Sequence, residues 1–224
     1  APLDGLYGLA SGTVSGTAAG TALWGASISG TMSTPHVYEN TIIIGTEDRR
    51  LMAFDAVSGR LSGLWECEIS APCRTTPAVA AAAGLVCAVT IDGTLFSAGL
   101  LDGRRMWNFR SGSPAPGGVV AGMTGSGESF LFGNEKGIFY CIDTEGRKKW
   151  DYMAPGSIRT EPLVYEGVVF FGAGENSLVC LDAVSGVELS VMRIEGGVSA
   201  RPVVAGNRLL LGTTAGYICV VVPE

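Results

Sequence analysis

Three arginines and a glutamate stand just ahead of repeated prolines and form the most distinctive candidate site in the sequence. They are Arg74 in APCRTTP, Arg159 and Glu161 in PGSIRTEP, and Arg201 in GGVSARP. If the fold brings these segments to one rim, the guanidinium groups are suited to binding a carboxylate, a phosphate or an acidic loop of a partner. The alternative is that they pair with Glu161 and with backbone carbonyl groups, which would close the rim without binding anything.

The other residue types that perform chemistry do not form a recognisable catalytic pattern. His36 is the single histidine, and it has no partner at the spacing of a nucleophilic triad or a multi-histidine metal site. Asp55, Asp143 and Asp182 recur at one position of a repeat. A carboxylate that accepts local backbone N–H groups in a turn explains that recurrence. We therefore predict no catalytic residue, no metal site and no cofactor.

The six cysteines divide into two groups by position. Four fall inside apolar segments, where a free thiol packs as a small apolar side chain: Cys87, Cys141, Cys180 and Cys219. The remaining two, Cys67 and Cys73, lie six residues apart across an expected turn, and the sequence leaves open whether they form a disulfide. No C-x-x-C pattern indicates zinc or redox chemistry.

The elements that position these residues come from an internal repeat. The four tryptophans Trp24, Trp65, Trp107 and Trp150 are spaced by 41, 42 and 43 residues. Prolines ahead of valine or leucine runs keep the same period, with GGVVAG near Gly118 replacing one of them: Pro35, Pro77, Pro162 and Pro202. A third landmark is a turn glycine that follows an apolar stretch and usually an aspartate: Gly59, Gly103, Gly146 and Gly186.

Each period of about 42 residues contains four strand-like runs, which is the unit of a β-propeller blade. The end of the chain supplies three such runs after Pro202, and the segment around Trp24 supplies the missing fourth kind. We therefore predict an all-β fold: a five-bladed β-propeller of four-stranded blades, closed by N- and C-terminal strands in one blade. Residues 1–20 are predicted to be a lead-in or an extra edge strand, and residues 21–224 a single propeller domain.

The amino-acid composition argues against nucleic acid as a partner and against a membrane-spanning segment. The 224 residues carry 15 Lys and Arg against 21 Asp and Glu, a formal net charge of −6, which argues against nucleic acid because phosphate backbones need a basic surface. No apolar run is long enough to span a membrane. The chain starts at Ala1 without a basic or apolar leader, so a targeting segment was either removed or never present. The localisation stays unknown, with a periplasmic or organellar compartment open.

The repeat resembles the pyrroloquinoline-quinone (PQQ) type. LMAFDAVSGR and LVCLDAVSGV match that repeat most closely, and CIDTEGRKKW is a third good copy. Three positions depart from it: Gly99 replaces the aspartate of the second copy, Ser190 replaces the tryptophan of the fourth, and the fifth ends without either. The family includes quinoprotein dehydrogenases and cofactor-free relatives such as a periplasmic propeller lipoprotein that assists outer-membrane protein assembly.

The resemblance implies two alternative functions. The dehydrogenases imply a bound divalent cation, a catalytic aspartate and often adjacent cysteines, and this chain has no adjacent cysteines. We therefore expect a non-catalytic scaffold that mediates protein–protein interaction, with other protein subunits as partners and Arg74, Arg159, Glu161 and Arg201 as candidate contact residues. The alternative is a quinone- or small-molecule-binding enzyme or sensor module that uses the channel mouth.

Overall fold

The fold is all-β. The structure, a computed structural model, describes residues 6–9, 22–26, 28, 33–58, 65–125, 127–206 and 208–221. These residues form strands and turns, and the described ranges contain no helix, so none of them forms a helix able to cross a membrane. The predicted turn glycine Gly59 lies outside the described residues.

Within the described ranges, the strands form four sheets of four strands, one sheet of three and one sheet of two. The first two strands pair with each other: β1 (Leu6–Leu9) and β2 (Ala22–Ala26). Blade 1 contains β3 (His36–Tyr38), β4 (Thr41–Gly45), β5 (Arg50–Asp55) and β6 (Glu66–Glu68). Blade 2 contains β7 (Ala78–Ala80), β8 (Leu85–Val89), β9 (Thr94–Gly99) and β10 (Arg105–Arg110). Blade 3 contains β11 (Val119–Thr124), β12 (Gly127–Gly133), β13 (Ile138–Asp143) and β14 (Lys148–Met153). Blade 4 contains β15 (Leu163–Tyr165), β16 (Val168–Ala173), β17 (Ser177–Asp182) and β18 (Glu188–Arg193). Blade 5 contains β19 (Val203–Ala205), β20 (Arg208–Gly212) and β21 (Ile218–Val221).

Every blade is an antiparallel meander, and successive blades stack face to face. The second and third strands of blades 2 to 4 are buried on both faces, as in β13 and β17, which explains why their sequences are apolar almost without alternation. Apolar clusters bridge blades 1 and 2, blades 2 and 3, blades 3 and 4, and blades 4 and 5. A sheet that buries its faces only against its neighbours is the stacking principle of a β-propeller.

The periodic tryptophans join each blade to the next. The indole N–H of Trp65 donates to the carbonyl of Leu100 at 2.8 Å, and that of Trp107 donates to Thr144 at 2.8 Å. Trp24 of β2 makes the same bond to Ala56 of blade 1 at 3.0 Å. The rings lie over the turn glycines of the following blade, where an added Cβ would come within 2.7 Å of an indole carbon: Gly103, Gly146 and Gly186. The repeated glycines are thus required by contact as well as by their positive φ.

The predicted all-β architecture of four-stranded antiparallel blades is confirmed, but the predicted closing blade differs from the pairings observed. Strand β2 pairs with β1, and blade 5 is a separate three-stranded sheet. The register Gly8↔Trp24, with a bulge beside it, matches Cys141↔Trp150 in blade 3. Strands β1 and β2 therefore correspond to the third and fourth strands of a blade. The edge of β2 that was expected to pair with β21 pairs with β1 instead. Closure of a five-bladed ring within one chain stays a prediction.

Candidate functional site

The candidate site is built from the segments that enter each blade. A hydroxyl two residues before the repeated proline ties the segment to the end of the second strand of its own blade. Ser33 Oγ accepts from the Gly45 N–H at 2.9 Å, and Thr160 Oγ1 accepts from the Gly172 N–H at 3.2 Å. Thr75 occupies the same position in blade 2 and donates to a carbonyl of β8 at 3.3 Å. These bonds give the entry segments a common conformation.

Each entry segment also packs against the preceding blade. An added Cβ at Gly45 would lie 2.5 Å from Cys73 Cβ, and one at Gly133 would lie 2.6 Å from Ile158 Cβ. Backbone bonds reinforce the contact, because the N–H groups of Cys73 and Ile158 donate to carbonyls in the preceding blade at 3.1 and 3.0 Å. The residues that follow, among them Arg74 and Arg159, are therefore placed beside the β4–β5 and β12–β13 turns.

Those turns supply the partners of two of the candidate arginines. The Arg74 guanidinium forms an ion pair with Glu47, and Arg159 Nη2 lies 3.2 Å from Glu135 Oε1. The side chains of Arg74 and Arg159 remain 65% and 67% exposed, which leaves N–H donors of each guanidinium facing solvent. Because the two entry segments share one packing geometry, the two ion pairs are copies of a single repeated feature.

The third arginine pairs inside the candidate set. Arg201 Nη1 lies 2.7 Å from Glu161 Oε1. Burial raises the pKa of Glu161, and the positive charge of Arg201 opposes that shift. Burial also lowers the pKa of His36, and the Arg201 charge lowers it further. Arg201 thus acts electrostatically on blade 4 and on the first strand of blade 1.

Arg201 pairs with Glu161, and its charge lowers the pKa of His36, while Arg74 and Arg159 each pair with a glutamate of the preceding blade. Convergence of the three arginines on one ligand stays a prediction. Glu47 and Glu135 were not identified from the sequence as the partners of Arg74 and Arg159. Their equivalent places in GTEDRR and GNEKG, each at a second-to-third strand turn, are the signal that could have identified them.

The repeated aspartates have the structural role that the sequence predicts. Asp182 Oδ1 accepts from the backbone N–H groups of Val184 and Ser185 at 3.2 and 2.7 Å, and Asp55 Oδ1 accepts from that of Ser58 at 2.7 Å. Hydrogen bonds from the hydroxyl groups of Ser58 and Ser185, together with these backbone bonds, lower the pKa of the two carboxyl groups. The carboxylates are thereby engaged in their own turns.

In blade 2 a different aspartate accepts the backbone N–H group of the turn after the third strand. Gly99 stands where blades 1, 3 and 4 have aspartate, and Asp102 accepts the backbone N–H of Arg104 at 3.0 Å instead. A side chain at Gly99 would collide with that carboxylate, since an added Cβ would lie 2.4 Å from Asp102 Oδ1. The replacement of aspartate by Gly99 therefore goes together with a turn in which Asp102 is the acceptor.

The described residues offer few side chains for binding a metal ion or for thiol chemistry. Across them, no group of three or more His, Cys, Asp or Glu side chains is arranged to hold a metal ion. The six cysteines are all described and all free, including Cys67 and Cys73. Burial raises the pKa of both of these thiols to about 11. Cys73 instead serves in packing, against Gly45 of blade 1.

Comparison with known proteins gives the family and the fold. A family model described as outer membrane protein assembly factor BamB matches residues 10–223, in agreement with the PQQ-type repeat seen in the sequence. The outer membrane protein assembly factor BamB of Nitrosomonas eutropha is 32% identical over 95 residues, which are 42% of this chain and 22% of that protein.

Two solved structures resemble the fold. The crystal structure of BamB from Moraxella catarrhalis superposes with a TM-score of 0.74 at 19% identity, covering 97% of this chain and 66% of that one. The computationally designed Ika8 protein superposes with a TM-score of 0.70 at 16% identity, covering 90% of this chain and 61% of that one. The chain therefore spans less than two thirds of each of these proteins.

Proposed function

Because the chain belongs to the family of the outer membrane protein assembly factor BamB, we propose that it is a non-catalytic propeller scaffold that binds other proteins during outer-membrane protein assembly. The match of residues 10–223 to that family is the observation that carries the proposal. The compartment it implies is the periplasmic side of the outer membrane. The proposal assigns the chain no cofactor and no catalytic residue, consistent with turn aspartates that are engaged by backbone N–H groups.

The entry segments are the proposed contact surface for a protein partner. Arg74, Arg159 and Arg201 each stand beside a glutamate at an exposed position. Exposed ion pairs contribute little to folding, on the order of 0–1 kcal/mol, so their partners can be exchanged at small cost. An acidic segment of a partner protein would replace Glu47 or Glu135 as the acceptor. Such charge complementarity mainly sets the association rate and the specificity of docking.

The experiment measures binding of the purified chain to the purified outer-membrane protein assembly machinery. Replacing Arg74, Arg159 and Arg201 together by Glu should weaken binding roughly tenfold or more, and the remaining binding should be less sensitive to salt. Arg147→Glu is the matched control, since Arg147 is also exposed and ion-paired, but in the β13–β14 turn.

Two results would count against the proposal. Equal affinities of the triple variant and of Arg147→Glu would remove the entry segments as the contact surface. An absorbance spectrum with a bound quinone in the purified chain would favour the enzyme or sensor alternative instead of the scaffold.

A further inference from the structure

Strand β18 is the outer edge of blade 4. It pairs with β17 on its inner side, and no described strand pairs with its outer side. The fourth strands of blades 1 to 3 have the same position at the outside of their sheets: β6, β10 and β14. An outer strand presents backbone N–H and C=O groups to which another strand can bind, and proteins commonly protect such edges with charged side chains. The side chains of an outer strand therefore decide whether it accepts a further strand.

The ladder between β17 and β18 defines the residues of β18 that would face a further strand. Five residues of β18 stand opposite residues of β17, and Leu189 is the extra residue at a bulge. From the C-terminal end of the strand, the five are Arg193, Met192, Val191, Ser190 and Glu188. Val191 is the central residue of this row. Both of its neighbours are uncharged, and the two ends of the row carry opposite charges.

The fourth strands of blades 1 to 3 carry charges that oppose pairing with a copy of themselves. Opposite the third residue of the third strand, where blade 4 has Val191, blade 3 has Asp151 and blade 1 has Glu66. An antiparallel pair of either strand about that residue would set two carboxylates opposite each other. In β10 the two ends of the row are Arg105 and Arg110, which would face each other in the same way. Like charges directly opposite destabilise a strand pair.

Strand β18 is instead complementary to a second copy of itself. In an antiparallel pair about a two-fold axis through Val191, the two Val191 side chains face each other, and each Ser190 faces the second copy's Met192. Beyond the bulge, each Glu188 faces the second copy's Arg193. Both charged side chains belong to exposed residues, and opposite charges across a strand pair stabilise it. Because a two-fold axis repeats every contact, two such ion pairs form in one closed dimer.

Contacts inside the chain support this pairing. Val191 is 41% exposed and lies opposite Val179, which is buried in the apolar cluster between blades 3 and 4. A second Val191 would extend that cluster and remove apolar surface from water. The Glu188 carboxylate accepts a hydrogen bond from the Tyr152 hydroxyl at 2.6 Å, and a carboxylate has the capacity to accept further bonds from a guanidinium. The edge thus offers an apolar centre between two charged ends.

We propose that β18 is a dimerisation edge, at which two copies of the chain pair antiparallel about Val191 and join their blade 4 sheets into one continuous sheet. The inference goes beyond the proposed function and does not depend on it. A second copy is favoured over an unrelated strand because the charge pairing and the apolar contact both follow from the single sequence ELSVMR, in the register that the two-fold axis imposes.

The test measures the mass of the 224-residue chain by light scattering and sedimentation at concentrations from roughly 1 to 200 µM, because a contact through one strand edge is small and therefore weak. We expect the mass to rise with concentration from that of the 23.1 kDa chain toward twice that value. The β18 amides should exchange their protons more slowly at the highest concentration than after dilution.

Three variants test the register. Val191→Lys places two like charges on the axis and should raise the dissociation constant of the dimer roughly tenfold or more. Arg193→Glu should do the same, because it sets a carboxylate opposite Glu188 in both copies. The double variant Glu188→Arg with Arg193→Glu exchanges the two charges and should restore the dimer. Arg147→Glu, at an exposed arginine of the β13–β14 turn, is the matched control and should leave the dimer unchanged.

Three outcomes would overturn the dimerisation edge. The first is a monomer at every concentration, or a dimer that Val191→Lys leaves intact. The second is a double variant that stays monomeric although circular dichroism shows it folded. The third is protection of the β18 amides that appears only when the assembly machinery is added, which assigns the edge to a partner protein. Since these variants leave Arg74, Arg159 and Arg201 unchanged, a chain that is monomeric and still binds the assembly machinery keeps the proposed function and loses only the dimer.

Discussion

The indole of Trp107 in blade 2 lies directly against Gly146 in the turn of blade 3. An added Cβ at Gly146 would be 2.7 Å from Trp107 Cδ2, and the indole N–H donates to the carbonyl of Thr144 at 2.8 Å. One side chain thus fixes both the distance and the orientation of two neighbouring sheets. The same arrangement joins Trp65 to blade 2.

Gly146→Ala should destabilise the fold by about 2 kcal/mol or more, because the methyl group must displace a rigid indole and a positive φ becomes strained. Gly84→Ala is the control. Gly84 also has a positive φ, but nothing lies within 4 Å of an added Cβ, so it should lose only about 1 kcal/mol. Urea denaturation of both variants measures the difference. Equal losses would mean that the indole contact does not hold the blades together.

Trp107→Phe and Trp150→Phe should differ in stability although both remove the same ring. Trp107 loses a hydrogen bond to Thr144, whereas the buried Trp150 Nε1 has no hydrogen-bond partner. Removing an unsatisfied donor relieves a desolvation penalty, so Trp150→Phe should cost about 1 kcal/mol less than Trp107→Phe. Thermal unfolding of the two variants provides the comparison, and a larger loss for Trp150→Phe would contradict it.

Stability should rise with pH around the titration of His36. Burial and the Arg201 charge hold the folded pKa of His36 below its ordinary value of 6.5. Between the folded pKa and 6.5 the unfolded chain binds more protons, so the free energy of unfolding increases as the pH rises to about 6.5 and then levels. His36→Gln should remove this slope. Glu161 has a raised pKa and contributes a slope of opposite sign, but it is present in both proteins and cancels in their difference. Parallel slopes for the two proteins would contradict the assignment.

Cys73 should resist alkylation in the native protein. Its pKa is raised to about 11 by burial, so only about one thiol in a thousand is ionised at pH 8. Iodoacetamide should modify the partly buried Cys219 first and reach the buried Cys73 only after denaturant is added. Mass spectrometry of peptides after timed labelling measures both sites. Rapid native labelling of Cys73 would show that the entry segment of blade 2 opens.

The blades were predictable from sequence because their determinants are local and repeated. Trp107 and Gly146 each recur at a fixed spacing, and an apolar run followed by Asp143 specifies a strand and its turn without knowledge of the rest of the chain. The partners of Arg74 and Arg159 leave a weaker signal in the sequence, which is only the equivalent place of Glu47 and Glu135 in two turns. Glu47 and Glu135 become neighbours of these arginines only after one blade has packed on another.

The N-terminal strand β1 also shows that contacts between distant segments are harder to predict than local structure. Strand β1 lies in residues 1–20, which are predicted to be a lead-in or an extra edge strand, because the sequence LYGL does not specify which strand it pairs with. In the structure β1 pairs with β2 in the register Gly8↔Trp24. Strand β2 is therefore in a different sheet from blade 5. Long-range pairing depends on competition between edges, which the local pattern does not encode.

Ser190 occupies the place that Trp150 has in the preceding blade, so blade 5 packs on blade 4 through an apolar cluster that contains no indole. In a chain of modules that contact only their neighbours, the weakest junction determines where unravelling begins. The junction between blades 4 and 5 should therefore separate before the junctions that contain Trp65 and Trp107, and blade 5 should exchange its amide protons while blades 2 and 3 are still intact.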